Sequence, residues 1–354
     1  MRTIRGPGLF LSQFIADAPP FNTLDGLAGW AAPLGAKGVQ VPILDSRVFD
    51  IGLAATSDAY CDEVRGTLAH HGIEIAELAS HRAGHLMAVH PGADLVADRF
   101  APPELRGNPA GRRAWAERML RLAAQASRRL GLSAHATFSG ALLWPMFYPF
   151  PPYGDGLIAD GFAELARRWR PVLDAFEEAG VDLCFELHPG EDLHDGASFE
   201  RFLDAVGGHA RAKILYDPSH MLLQQMDYAG FIDIYHARIG AFHVKDAEYR
   251  PSARSGVYGG FQPWLDRAGR FRSPGDGMID FGVIFSKLAQ YDYPGWAVLE
   301  WECVLKNSQD GAREGIAFIR DHIIRVTGRA FDANIGAAQD RAANAAILGI
   351  ARDD

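Results

Sequence analysis

At 354 residues, 48% hydrophobic and 22% charged, the chain has the composition of a globular protein and the length of one large domain or two small ones. A formal net charge of −9 argues against a nucleic-acid surface and favours a small neutral or carbonyl-bearing ligand. No apolar run is long enough to span a bilayer, MRTIRGPGLFLSQF lacks a signal-peptide core, and Cys61, Cys184 and Cys303 have no metal-ligand spacing; a cytoplasmic protein with free thiols is expected.

In chain order, short apolar runs alternate with amphipathic stretches. Strands are predicted at GLFLSQF from Gly8, GVQVPIL from Gly38, IEIAELASH from Ile73 and LSAHATFSG from Leu132. The Ala-, Leu- and Arg-rich stretch from Arg112 to Leu130 reads as a helix that stops at Gly131, where a glycine can turn into the left-handed region. An aromatic, proline-rich insertion, LLWPMFYPFPPYG (142–154), follows the fourth strand. The next helical pattern runs from Phe162 to Glu178 before Gly180, with a kink or restart expected at Pro171. Four further strands are predicted at VDLCFELHP from Val181, AKILYDPSH from Ala212, AFHVKDAE from Ala241 and WAVLEWECV from Trp296. A second insertion (249–277) follows the seventh strand, and a last helix is predicted from Asp310 to Val326.

Eight strand-and-helix units without a composition shift predict a single (β/α)8 TIM barrel over residues 1–328, followed by a helical or frayed C-terminal tail, 329–354. A doubly wound sheet would carry a glycine-rich phosphate turn after its first strand, and GLFLSQFIADAPP has none. The two insertions extend the loops after strands four and seven and would stand over the C-terminal mouth of the barrel, where such folds build active sites. Their aromatic rings, Trp144 among them, suit stacking on sugar faces, and suit an oligomer interface equally well.

Four strand ends carry metal-binding residue types: Glu186 in CFELHPGE, Asp217 in KILYDPSH, His243 in AFHVKD and Glu300 in AVLEWE. Brought together by neighbouring strands, three carboxylates and one imidazole make a mostly oxygen site that suits manganese, with magnesium or cobalt as alternatives. Side chains two apart on a strand point the same way, which adds His188, Lys245 and Glu302 to the same face. The competing reading is a structural ion-pair network among Glu186, Glu300, Lys245 and His243, because buried charges need partners. His81, at the end of strand three, is placed to line the other half of the pocket.

The segments FELHPGE, YDPSH, FHVKD, GDGMIDF and VLEWE, in this order and spacing, resemble the motifs of the sugar-phosphate isomerase/epimerase superfamily with the xylose-isomerase-like barrel, over roughly residues 8–326. The resemblance implies a divalent metal held by Glu186, Asp217, His243 and Glu300, with His220 beside it as a substrate contact or auxiliary ligand. It implies an isomerase or epimerase acting on a ketose or oxo-sugar, in which Glu186 and Glu300 exchange a proton with a metal-bound enediolate. Lys245 would steady oxyanion charge or neutralise the acidic site, and His188 would donate a hydrogen bond to the substrate or pack on its neighbour. Ketose epimerases of the superfamily carry an arginine a few residues beyond the strand-seven histidine, a place that Arg250 fills here. Little glycine follows strand eight, in CVLKNSQDG, so a non-phosphorylated substrate is expected. The alternative is a lyase or dehydratase that eliminates water or an aglycone from an oxo-sugar, in the manner of inosose dehydratases or C-glycoside-cleaving enzymes. A third is a non-catalytic sugar-binding barrel. The partners expected are a small carbohydrate and, by resemblance, a second copy of the chain or a hetero-subunit, with neither nucleic acid nor membrane.

Overall fold

The structure is a computed structural model that describes residues 1–259, 261–329, 331–333 and 340–350. Seven parallel strands arise in order: β1 (Arg5–Phe10), β2 (Gly38–Pro42), β3 (Glu74–Ala79), β4 (Ala134–Thr137), β5 (Asp182–Glu186), β6 (Ala212–Tyr216) and β7 (Ile239–Val244). An antiparallel hairpin, β8 (Asp246–Tyr249) and β9 (Gly269–Arg272), intervenes before the eighth barrel strand, β10 (Trp296–Leu299). Consecutive barrel strands pair in parallel, and β10 closes the ring between β7 and β1. All eight predicted strands are therefore barrel strands, and the fold is the expected (β/α)8 barrel.

The strands read as nearly continuous apolar runs because both of their faces are covered. On β5, Leu183 and Phe185 pack outward into the main core, whereas Cys184 belongs to a smaller cluster with Phe10, Ala136, Leu215, Ala241 and Val298. The alternation is the strand period of two, and it sends every second residue to the barrel interior. Helices cover the outside, among them Pro109–Arg129, Asp155–Ala179 and Ser308–His322. Gly131 and Gly180 follow the first two with φ of +72° and +73°, the left-handed turns anticipated for them.

Three local features differ from expectation. Asp155–Ala179 begins before the predicted Phe162 and runs through Pro171 as one helix, so of the kink or restart expected there the restart does not occur. Ser308–His322 ends earlier than Val326: Ile323 is extended, and the Val326 N–H is drawn to Thr3 Oγ1 at 3.2 Å, tying the chain back to the start of β1. The insertion after β7 is a paired hairpin, Asp246 opposite Arg272 and Tyr249 opposite Gly269, rather than an open loop. In the tail, Arg341–Leu348 is a helix capped by Asp340, and the rest of the predicted tail at 330, 334–339 and 351–354 lies outside the described residues. Among the described residues no helix is long and apolar enough to cross a membrane.

Candidate active site

The barrel order β5, β6, β7, β10 sets four acidic or basic strand ends side by side. Glu186 closes β5, Asp217 follows β6 and caps the short helix Pro218–Leu223, His243 lies on β7, and Glu300 follows β10. All four are buried, and one ligand atom from each lies within 4.8 Å of the others. Asp217 is held by its cap: Oδ1 accepts the Ser219 N–H at 2.8 Å and the Ser219 hydroxyl at 2.7 Å, which leaves Oδ2 facing the cluster.

Lys245, two residues beyond His243, brings its ammonium into the same space. Its Nζ lies 2.8 Å from Glu300 Oε2, 2.9 Å from Asp217 Oδ2 and 3.6 Å from Glu186 Oε1, with His220 Nε2 at 2.9 Å. Burial works against its charge, but Asp217 and Glu300 hold its pKa well above the usual lysine value. Burial likewise opposes ionisation of Glu186 and Glu300, and the Lys245 charge overrides it and holds both carboxylates well below their usual range. Burial dominates at Asp217 and Glu302 and raises both. The two glutamates are thus held as carboxylates beside the Lys245 ammonium.

The tautomer of His243 follows from its neighbours. Gln40 Nε2 donates to Glu77 Oε2 at 2.7 Å, so the Gln40 oxygen faces His243 Nε2 at 3.1 Å and that nitrogen carries the hydrogen. His243 Nδ1 then faces Glu300 Oε2 at 2.9 Å, lone pair toward carboxylate. A cation between the two satisfies both; without one, a second proton on the ring does so. Burial opposes that proton, and the charge of Glu300 outweighs it and brings the His243 pKa up to about 10. Glu186 Oε2 and Asp217 Oδ2 are buried without a hydrogen-bond partner, the latter near Lys245 but off the hydrogen-bonding direction. His81 Nε2 lies 3.0 Å from the first and Lys245 Nζ 2.9 Å from the second, neither in an aligned hydrogen bond. Two such carboxylate oxygens, a ligand-type imidazole and hard oxygen donors fit a divalent cation such as manganese or magnesium.

A second acidic group, Asp174, Glu177 and His209, does not fit one. His209 Nδ1 accepts the Arg211 N–H at 3.2 Å, so Nε2, 3.4 and 3.6 Å from Asp174 and Glu177, carries the hydrogen. A nitrogen that carries its hydrogen has no lone pair to offer a metal.

Of the other predicted site residues, His81 reaches the cluster with Nε2 3.0 Å from Glu186 Oε2, its ring held between Phe10 and Phe138. His220 lies 3.2 Å from Glu186 Oε1. His188 packs against it with ring centroids 4.0 Å apart and planes tilted by 55°, and burial lowers its pKa well below the usual value, so it stays neutral. Trp144 stacks on Phe147 and, with His188, lines a cavity of about 400 Å³ beside the cluster. Arg250 is not brought in: its side chain is 75% exposed and pairs with Glu248, which also holds Arg270 and Arg272 across the hairpin. Three contributors escaped the sequence reading. Gln40 and Glu77 left a faint signal as polar residues inside apolar strands, whereas Gln13, whose Nε2 donates to Glu300 Oε1 at 3.1 Å, sits in a short turn and left none.

Comparison with known proteins places this geometry among relatives. The family model described as the xylose isomerase-like TIM barrel matches residues 28–322. An inosose dehydratase of Bacillus velezensis is 32% identical over 125 residues, 35% of this chain and 42% of that protein. One of Histophilus somni is 28% identical over 172 residues, 47% of this chain and 54% of that protein. The chain spans about half the length of the curated relatives it matches. Two solved structures share the fold. A xylose isomerase domain protein from Planctomyces limnophilus has a TM-score of 0.60 at 14% identity, over 91% of this chain and 98% of that one. The 3-keto-D-glucoside 4-epimerase of E. coli has a TM-score of 0.60 at 15% identity, over 89% and 98%.

Proposed function

The chain belongs to the xylose isomerase-like TIM-barrel family, and from that premise we propose that it is a divalent-metal enzyme that moves a proton at the carbon beside the carbonyl of a ketose or oxo-sugar. The observation that carries the reading is the pair Glu186 and Glu300, both buried and 3.6 and 2.8 Å from the Lys245 ammonium, within one cluster able to hold a metal. A divalent cation bound by Glu186, Asp217, His243 and Glu300, manganese in our reading, would polarise the carbonyl and acidify the neighbouring C–H. Glu186 takes that proton from one face of the substrate; Glu300 returns one to the other face of the same carbon, which gives the epimer, or to the former carbonyl carbon while the hydroxyl proton passes between the two oxygens, which gives the isomer. Lys245, at 2.8 Å from Glu300, offsets the negative charge that gathers on the substrate oxygen, and neutral His188, together with His81, donates hydrogen bonds to hydroxyls. A non-phosphorylated substrate is proposed because the segment after β10 offers an anion few glycine amides.

Elimination is the second reading, and the curated relatives favour it, since those named here are inosose dehydratases. There Glu186 removes the proton, the carbon–oxygen bond on the adjacent carbon breaks, and a nearby acid protonates the departing hydroxyl so that water leaves.

Manganese-loaded protein incubated in deuterated water with ketoses, inosose and 3-oxo-glycosides, followed by NMR, separates the readings. Deuterium is expected beside the carbonyl of at least one oxo-substrate, with Glu186→Gln or Glu300→Gln slowing its entry by about 100-fold or more. A deuterated epimer or isomer identifies the first branch, and release of water or an aglycone the second. Metal binding without exchange in any compound overturns both.

A further inference from the structure

Two cavities of different chemistry flank the cluster. One, of about 450 Å³, is the more polar, setting Gln13, Arg47, Arg82 and Glu302 beside Phe10 and Phe138. The other, of about 400 Å³, is walled by Trp144, Phe147, Tyr258, Trp264 and Phe271, with His188 and His220 on the side nearer the cluster. A third cavity shares Gln13 and Glu302 with the first and His188, Trp264 and Phe271 with the second, so the three form one cleft. Phe271 is the joint. Its ring lies 5.0 Å from Lys245 Nζ, 5.4 Å from the His220 ring and 4.9 Å from Trp264, so the aromatic wall begins at the proposed reacting centre and runs outward.

Either lobe alone is large enough for a monosaccharide. Proton transfer beside a carbonyl needs only the polar lobe and the cluster, which leaves the aromatic lobe without an occupant. Two of the polar side chains within that lobe are already engaged, and His188 Nδ1, at its inner end nearest the cluster, is buried without a partner. Gln224 Nε2 donates to the carbonyl oxygens of His194 and His220 at 2.8 and 3.2 Å. Arg267 Nε donates to Gln262 O at 3.0 Å, and its guanidinium lies over Trp264 at 4.0 Å. A second sugar ring would carry several hydroxyls into a wall with few free partners, at a desolvation cost for each one left unpaired. A flat aromatic ring needs faces and edges, which Trp264, Phe271 and Trp144 supply.

We infer that the substrate is a two-ring oxo-glycoside, its oxo-sugar over Glu186 and Glu300 and its aromatic aglycone stacked in the lobe of Trp144, Trp264 and Phe271. This rests on the oxo-sugar reading above and names the substrate class for it.

The test titrates the manganese-loaded full chain by calorimetry with 4-nitrophenyl 3-oxo-glucoside, methyl 3-oxo-glucoside and 3-oxo-maltose, with deuterium exchange read by NMR on the same mixtures. The aryl compound is expected to bind about tenfold more tightly than the methyl compound, the scale of one good ring–ring contact. Trp264→Ala should bring that ratio to about threefold or less, and Trp264→Phe, which keeps a stacking ring, should preserve most of it. Equal Kd values, no binding of either compound, an aryl advantage indifferent to Trp264→Ala, or 3-oxo-maltose binding as tightly as the aryl compound each overturns the inference. An aryl advantage without exchange in any compound supports the aromatic subsite and instead removes the proton-transfer reading.

Discussion

Lys245 is a buried cation among three of the four groups that a metal would need. Removing it from the metal-free protein leaves Glu186, Asp217 and Glu300 facing one another with only the His243 charge between them. Lys245→Met is therefore expected to destabilise the metal-free chain by about 3–5 kcal/mol, the usual cost of orphaning buried charge. Urea unfolding with and without manganese checks this: the ion should recover more stability in the variant than in the parent, and equal recovery would mean that metal and ammonium do not share the same carboxylates. Gln40 acts one shell further out by fixing which His243 nitrogen faces the cluster. Gln40→Leu should weaken manganese binding by roughly 10–100-fold, measured by calorimetry, without altering the ligands themselves. The ligand-type residues were legible in the sequence because each ends an apolar run at one level of the barrel. Gln40, Glu77 and Gln13 were not, because a polar residue inside a strand or turn declares its partner only once the barrel closes.

At the scale of elements, the aromatic insertion after β4 is held by one buried carboxylate. Asp192 accepts the backbone N–H groups of Leu142, Leu143 and Trp144 at 2.9, 2.7 and 2.8 Å. Burial, opposed by those three donors, brings its pKa up to about 6. Asp192→Ala should free the three amides, seen as loss of hydrogen-exchange protection at 142–144, and a loop that keeps its protection would show that packing alone holds it. Asp246 does the same for the end of the second insertion, accepting N–H groups from Ala247, Gly275, Gly277 and Ile279. The barrel strands were legible from apolar periodicity, which depends on local sequence and burial. The β8–β9 hairpin was not: its two strands are four residues each and separated by a long excursion, and their pairing is fixed by contacts with Asp246 and Glu248 that no window of sequence contains. For the same reason Arg250 seemed available to a substrate, when Glu248 already gathers it with Arg270 and Arg272.

For the whole molecule, pH acts through groups that fold in their neutral form. His135 is fully buried between Ser80 and Ser127, and burial takes its pKa from 6.5 to about 3. Above pH 6.5 it is neutral whether the chain is folded or not, and its burial is free of charge cost. As pH falls from 6.5 toward 3 the unfolded chain gains a proton that the folded one refuses, and stability is lost by up to about 1.4 kcal/mol per pH unit from this residue. Urea unfolding at neutral and mildly acidic pH should show a steeper decline for the parent than for His135→Gln, and parallel declines would place the acid sensitivity elsewhere.

The hairpin that supplies Phe271 begins at Asp246, one residue beyond Lys245, and returns before β10. The segment that would choose among substrates is thus a detour between the strand that carries His243 and the strand that leads into Glu300. Such an arrangement would separate two duties: the proposed reactivity sits at strand ends bound into the ring, and the proposed selectivity in an appendage outside it. A chimaera carrying a different detour between Lys245 and Asp280 should change its preferred substrate while keeping its affinity for manganese, which makes this barrel a platform for redirecting one chemistry rather than for inventing another.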